Sequence, residues 1–218
     1  MPQPDALIFD LDGTLWDSTV TVCQAWNRVL ALQFPDRPSL TQSDIARIMG
    51  KTHGEIRMAL FPDIPPGQWE LLGGQCYAEE ERAIHARGGR LYEGVKKGLT
   101  QLFAHYPLFI VSNCQSGYIE AFLEWSRLGN LFAGFECHGN SGEGKSANIL
   151  RIIQRHALSH PVYIGDTPGD FAAARQAGVA FFHARYGFGK TEETGFDNFA
   201  ELTLYFLNLL PAKPTARK

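Results

Sequence analysis

The feature that most constrains the fold is a series of short, continuous apolar runs that alternate with helical patterns. Strands that read as unbroken apolar runs are buried on both faces. When helices separate such strands, a parallel sheet covered on both sides is expected. The sequence therefore predicts a doubly wound, Rossmann-like α/β core with strands at residues 6–9, 108–111, 162–164 and 179–182, and a further strand near 131–135.

The segment that follows the first run has a different character. Between residues 15 and 89, apolar residues recur at helical spacing, prolines interrupt them, and no stretch indicates a strand. We therefore expect an all-helical insertion with a hinge near Gly88 and Gly89. The predicted organisation is a catalytic α/β core at residues 1–15 and 90–210, a helical cap at 16–89 and a flexible tail at 211–218.

Composition excludes several classes of partner. The chain has 218 residues, a formal net charge of -3 and an isoelectric point near 6.2, so nucleic acid and anionic membrane are poor candidates. Its four cysteines form no CxxC pair, which is typical of reduced thiols in a cytoplasmic protein. We see no secretory leader and no apolar run long enough to span a bilayer. A monomer and a homodimer are both compatible with the sequence.

Polar side chains follow the predicted strands at the point where each strand ends. Asp10 and Asp12 come directly after the first apolar run, and in an extended chain both carboxylates point the same way. Right-handed crossovers place the carboxyl ends of parallel strands along one edge, where α/β proteins bind their ligands. The other candidates for this edge are Ser112, Asn113, Lys145, Asp166 and Asp170.

The charges of these groups indicate a cation. Four carboxylates face one ammonium, and such a cluster cannot accept a phosphate unless a metal or a proton offsets it. Mg²⁺ is the usual ion where carboxylates and phosphate share the coordination. We therefore predict Mg²⁺ as the cofactor and a small phosphorylated metabolite as the partner, with metal-binding residues Asp10, Asp12, Asp166 and Asp170.

Each polar residue has an expected role in phosphoryl transfer. Asp10 would attack phosphorus as a carboxylate nucleophile, and Asp12 would act as general acid and then general base. Ser112, Asn113 and Lys145 would bind the phosphate oxygens. The catalytic residues would thus be Asp10, Asp12 and Lys145.

These residues resemble the motifs of the haloacid dehalogenase-like hydrolase superfamily, in its helical-cap branch with the phosphoglycolate phosphatases and β-phosphoglucomutases. Asp10-x-Asp12-Gly13-Thr14 is similar to the first motif, Ser112-Asn113 to the second, Lys145 to the third, and Gly165-Asp166-x-x-x-Asp170 to the fourth. The resemblance implies that Asp12 meets the metal only through its backbone carbonyl, and that Asp170 supports Lys145 or the metal shell. It also implies phosphoryl transfer, because members that cleave carbon–halogen bonds lack the second acid. The residue after Lys145 is Ser146, where many relatives have proline.

Several alternatives stay open at this point. The first motif is compatible with a calcium loop, and the acidic, hydroxyl and lysine set is compatible with a phospho-accepting receiver. Asp170 is also a candidate for a helix-capping acid. The main functional prediction is a Mg²⁺-dependent phosphatase that acts through an aspartyl-phosphate; a sugar-phosphate phosphomutase and a catalytically silent binding protein are the alternatives. On the cap, Lys51 and His53 are candidates for substrate recognition.

Overall fold

The computed structural model describes residues 3–211 of the chain. The strands within this range are β1 (Leu7–Phe9), β2 (Trp16–Asp17), β3 (Arg90–Leu91), β4 (Leu108–Ser112), β5 (Gly134–Cys137), β6 (Val162–Gly165), β7 (Ala180–Ala184) and β8 (Gly195–Phe196). Six of them form one parallel sheet in the order β5–β4–β1–β6–β7–β8. The predicted doubly wound α/β core is confirmed.

The two faces of the central strands explain why their sequences are apolar throughout. Leu7 and Phe9 belong to the hydrophobic cluster on one side of the sheet, whereas Ile8 belongs to the cluster on the other side. Phe109 and Val111 of β4 join Ile8 in the second cluster. Successive side chains of a strand point to opposite faces, so a strand covered by helices on both sides needs apolar residues at every position.

The helices follow in chain order. They are α1 (Thr19–Gln33), α2 (Gln42–Ala46), α3 (His53–Leu60), α4 (Pro66–Arg87), α5 (Val95–Phe103), α6 (Tyr118–Ser126), α7 (His138–Ser141), α8 (Lys145–His156), α9 (Pro168–Ala177) and α10 (Phe199–Asn208). A capping box at Thr167 and Asp170 begins α9, with proline at its first position.

The first four helices surround a hydrophobic core of their own. Its buried residues all lie between Val22 and Ala83, and three tryptophan and phenylalanine side chains, Trp26, Phe61 and Trp69, pack together at its centre. The prediction that residues 15–89 contain no strand is wrong at one end, because β2 pairs antiparallel with β3 where the chain enters and leaves the helical segment. Two residues are too few to produce a periodic pattern.

Two other elements differ from the prediction. The strand predicted near residues 131–135 is β5, and it begins later, at Gly134–Cys137. Leu131 instead belongs to a short 3₁₀ turn that precedes this strand. The edge strand β8 has two residues and was not predicted. Most of the predicted tail at 211–218 lies outside the described residues.

Candidate active site

The carboxyl edge of the sheet gathers polar residues from four separate parts of the chain. Asp10 follows β1, Ser112 ends β4, Lys145 begins α8 and Asp166 follows β6. Each of these side chains is buried, with no more than 6% of its residue exposed. Parallel strands with right-handed crossovers place these ends side by side, as the sequence predicted.

Lys145 is the cation at the centre of this group. Its Nζ donates a hydrogen bond to Asp10 Oδ1 at 2.7 Å and another to Asp170 Oδ1. Burial lowers the pKa of the ammonium, but the carboxylates of Asp10 and Asp170 more than offset it, so the pKa lies well above its ordinary value. The lysine therefore stays charged and fixes the two aspartates on either side of it.

The carboxylate of Asp170 is fully occupied by protein donors. Its Oδ2 accepts from the Thr167 hydroxyl at 2.7 Å, the Thr167 amide at 2.9 Å and the Asp166 amide at 3.2 Å. Burial raises its pKa, but the charge of Lys145 and these hydrogen bonds outweigh burial and hold the pKa below its ordinary value. Asp170 therefore orients Lys145 and caps α9 at the same time.

Asp166, in contrast, has an oxygen without a partner. Its Oδ2 accepts from the Phe188 amide at 2.7 Å and more weakly from the Gly189 amide at 3.4 Å, whereas Oδ1 is buried and has no hydrogen-bond partner. Burial, with a further contribution from Asp170, raises the pKa of Asp166 to about 7. A buried anionic oxygen without a donor is costly unless a cation meets it.

The acidic groups fit a divalent metal. Asp10, Asp166 and Asp170 each offer a carboxylate oxygen, and these oxygens lie within 4.8 Å of one another. Oxygen donors of this kind suit a hard divalent cation. The unpartnered Oδ1 of Asp166 is the observation that supports a metal here, because no donor of the described residues satisfies it.

A glycine makes room for Asp166. Gly13 has a φ of 87°, and a Cβ at this position would lie 2.2 Å from Asp166 Oδ2. Such a φ favours glycine, and the close approach excludes a side chain altogether. The glycine of the first motif is thus required by the position of an aspartate more than 150 residues further along the chain.

Asp12 has a different set of partners. Its Oδ1 accepts from the Ser18 hydroxyl at 2.6 Å and from the Tyr118 hydroxyl at 3.0 Å, and the Tyr118 hydroxyl oxygen lies 2.9 Å from Ser18 Oγ. Burial raises the pKa of Asp12 to about 6, although these hydrogen bonds act in the opposite direction. A carboxyl group with this pKa exchanges its proton near neutral pH. Ser18 and Tyr118 were not identified from the sequence.

The predicted second motif contacts the helical segment. Asn113 Nδ2 donates to the backbone carbonyl of Gly50 at 2.8 Å, and Asn113 Oδ1 is buried without a partner. Ser112 is 4% exposed, and its Oγ accepts from the Cys114 amide at 3.4 Å. The loop after β4 thus joins the edge of the sheet to the loop that carries Lys51.

A cavity of about 150 Å³ separates the helical segment from the sheet edge. Asp12, Ser112 and Asn113 line its core side, while Lys51 and His53 lie on the opposite wall. The Lys51 residue is exposed. His53 Nδ1 lies 3.0 Å from the Tyr77 hydroxyl, its Nε2 lies 3.4 Å from Glu70 Oε2, and its ring stacks on Trp69.

The sequence did not indicate Glu80, a further acidic residue of this cavity. Glu80 lies on α4, is 5% exposed and lines the cavity wall. It is the middle residue of the run Glu79-Glu80-Glu81, and a run of acids on a helix is typical of a solvated face. Its burial depends on the packing of α4 against α1 and the loop after β4, which no local pattern reveals.

A parallel α/β sheet with a buried, lysine-paired aspartate at its carboxyl edge fits both a phosphoryl-transfer enzyme and a phospho-accepting receiver. The model of the haloacid dehalogenase-like hydrolase family matches residues 7–184. The chain belongs to this family, and the predicted resemblance is confirmed.

Known proteins are similar over most of the chain. A phosphoglycolate phosphatase of Aliivibrio fischeri is 28% identical over 198 residues, which are 85% of this chain and 86% of that protein. A 5'-nucleotidase of Pseudomonas aeruginosa is 25% identical over 193 residues, 86% of this chain and 85% of that protein. The crystal structure of a predicted phosphoglycolate phosphatase from Haemophilus somnus superposes with a TM-score of 0.82 at 21% identity, covering 94% of this chain and 99% of the other.

The family match and the similar proteins confirm the predicted enzyme class, a phosphoric monoester hydrolase of this family. Within residues 3–211, every helix is either too short or too polar to cross a bilayer.

Proposed function

We propose that this protein is a Mg²⁺-dependent phosphatase that hydrolyses a small phosphomonoester through an aspartyl-phosphate on Asp10. The observation that carries the proposal is the buried Asp10 carboxylate, fixed by Lys145 at 2.7 Å in a group with Asp166 and its unpartnered oxygen. A nucleophilic carboxylate needs a fixed position and nearby positive charge to approach a phosphate dianion. Lys145 supplies one such charge, and a divalent cation held by the neighbouring carboxylates would supply the other.

The metal would be held by the oxygens that the protein leaves available. We assign Asp10 and Asp166 as side-chain ligands, together with the backbone carbonyl of Asp12. The oxygens of Asp170 accept from Lys145 and Thr167, so Asp170 would support the metal site indirectly, by orienting Lys145. When bound, Mg²⁺ would neutralise the acidic cluster and polarise the phosphoryl oxygens.

The remaining residues divide the proton and phosphate chemistry. Asp10 would attack phosphorus, while Asp12 protonates the leaving oxygen and then removes a proton from the attacking water. The pKa of Asp12, raised to about 6 by burial, suits both directions of this transfer. Ser112, Asn113 and Lys145 would bind the equatorial phosphate oxygens as negative charge builds up on them.

The helical segment would act as a cap over the substrate. Residues 16–89 have their own hydrophobic core, and the cavity between this segment and the sheet edge has a volume of about 150 Å³. An apolar cavity of about 150 Å³ holds a molecule the size of benzene. This size supports a leaving group of about six non-hydrogen atoms.

The test is a phosphate-release assay over a panel of phosphorylated metabolites with Mg²⁺. The panel contains phosphoglycolate, a nucleoside monophosphate and pyrophosphate, with glucose 1-phosphate followed for isomerisation. We expect release from at least one small phosphomonoester and no isomerisation. Isomerisation without release would establish the phosphomutase alternative, and an inactive protein would support the silent one.

A matched pair of variants tests the nucleophile. Asp10→Asn should lower the turnover by at least about a thousandfold, because an amide cannot form the acyl phosphate. Asp36→Asn, at an exposed position, makes the same chemical change and should leave turnover unchanged. Comparable turnover in both variants would remove Asp10 as the nucleophile.

A further inference from the structure

The wall of the cavity opposite the sheet carries a buried carboxylate. Glu80 is 5% exposed and lies among the residues that line the space between α1, α4 and the loop after β4. Its Oε2 accepts from the Trp26 indole N–H at 2.5 Å, and its Oε1 accepts from the Gln115 amide at 3.0 Å. An ionised carboxylate accepts about four hydrogen bonds, and Glu80 accepts these two from the protein.

The charges around this cavity are predominantly negative. Glu80 and Asp12 both line it, and both are buried. Among the described residues of its wall, Lys51 supplies the permanent cation, but Lys51 is exposed. A second negative group on the substrate would therefore lie close to the buried Glu80 carboxylate, while the cation Lys51 remains in water.

The histidines of the wall do not reverse this balance. The two ring nitrogens of His53 lie next to Tyr77 and Glu70, and burial holds the pKa of His53 below its ordinary value. His138 Nδ1 lies 2.9 Å from the Glu143 carbonyl, which fixes that nitrogen as the donor. His53 is thus neutral at pH 8 and serves as a hydrogen-bonding group.

We propose that Glu80 determines specificity by accepting hydrogen bonds from the leaving group, so that the preferred substrates carry hydroxyl or ammonium groups and those with a second anionic group are rejected. This inference rests on the proposed phosphatase activity and adds a substrate class to it. A small phosphorylated alcohol, polyol or amino alcohol fits both the volume of the cavity and the acceptors on its wall. The rejected class includes phosphoglycolate, the substrate named for the Aliivibrio fischeri relative.

Three substrates of nearly equal size separate charge from shape. Phosphoglycolate, ethylene glycol monophosphate and phosphoethanolamine release a carboxylate, a neutral and a cationic alcohol, respectively. At pH 8 with Mg²⁺, we expect kcat/KM for the neutral and cationic substrates to exceed that for phosphoglycolate by more than about tenfold. In Glu80→Gln this ratio should fall at least about tenfold, since glutamine keeps the size but loses the charge and replaces one acceptor oxygen by a donating NH2 group.

Two control variants separate specificity from structure. Glu79→Gln removes the neighbouring carboxylate, which pairs with Arg28 and Arg82, and should leave the ranking of the three substrates unchanged. Gln115→Leu breaks the contact between Glu80 and the core loop without removing the charge, so it should also preserve the ranking. Circular dichroism of each variant verifies that it is folded.

Each outcome has one interpretation. Equal loss of kcat/KM for all three substrates in both Glu80→Gln and Gln115→Leu would make Glu80 a structural contact and overturn the inference. A wild-type preference for phosphoglycolate, or an unchanged ratio in folded Glu80→Gln, would overturn it as well. These results would leave the phosphatase proposal intact, whereas the absence of phosphate release from every substrate of the wider panel would refute that proposal itself.

Discussion

Replacing Glu80 by glutamine should remove part of the loss of stability that the wild type undergoes as the pH rises. Burial raises the pKa of Glu80 from its ordinary value of 4.5 to about 7, although hydrogen bonds from Gln115 and Trp26 act in the opposite direction. Between these two values the folded protein holds a proton that the unfolded chain has already released. Stability therefore falls as pH rises from about 4.5 to about 7 and stays low above that range.

The size of the effect follows from the two pKa values. At about 1.4 kcal/mol for each pH unit between them, ionised Glu80 lowers the free energy of unfolding by about 3 kcal/mol. Most of this loss falls between pH 5 and pH 8. With an m-value of about 3 kcal/mol/M in urea, it corresponds to a shift of about 1 M in the unfolding midpoint.

The assay measures how far the urea midpoint of unfolding changes between two pH values, in the wild type and in the variant. Urea unfolding of the wild type and of Glu80→Gln at pH 5 and pH 8 should show a larger loss of stability in the wild type, by about 1 M in the midpoint. Asp166, whose pKa burial raises to about 7, is present in both proteins and cancels in the comparison. Asp12 is also present in both, and its charge contributes to the raised pKa of Glu80. Burial keeps Cys76, Tyr77 and Tyr118 neutral through pH 8.

A control variant and a clear negative result complete the design. Glu79→Gln removes a partly buried charge from the same helix, one that pairs with Arg28 and Arg82, and tests whether any loss of negative charge from α4 has this effect. The prediction is refuted if the wild type and Glu80→Gln lose the same amount of stability between pH 5 and pH 8. Ionisation of the buried Glu80 carboxylate would then not lower the free energy of unfolding.

Two further predictions concern the metal site. Gly13→Ala should lower Mg²⁺ affinity at least about tenfold in calorimetry, because its Cβ would displace Asp166, whereas Gly74→Ala on α4, with open space around it, should leave affinity unchanged. Asp166→Asn should weaken Mg²⁺ binding more than Asp170→Asn, because Asp170 already accepts from Lys145 and Thr167 while Asp166 has an unpartnered oxygen. Equal losses in the two aspartate variants would contradict the assignment of ligands.

Much of the core was predictable because its signals are local. Strands β1, β4, β6 and β7 coincide with the predicted apolar runs to within one or two residues. The order of elements along the chain was also enough to assign Asp10, Lys145 and Asp166 to the carboxyl edge of the sheet, since each follows a strand or begins a helix. Handedness of the crossovers then left few other places for them.

The missed features depend on contacts between distant residues. The strand pair β2–β3 is two residues long on each side, and it forms because the helical segment returns to the point where it left the sheet. Ser18 and Tyr118 are 100 residues apart and meet only because α6 packs near the start of the helical segment. Neither residue differs in its local sequence from many ordinary serines and tyrosines.

The sequence by itself determined the chemistry of the site: carboxylates, a lysine and a hydroxyl placed after strands that can only be buried. The tertiary structure decided which of these groups is satisfied and which is left without a partner. It occupied both oxygens of Asp170, left one oxygen of Asp166 without a donor, and buried Glu80 from within an acidic run. The physical reason is that residue types and spacing specify charge and periodicity, whereas hydrogen bonding and desolvation depend on neighbours that the chain brings together only when it folds.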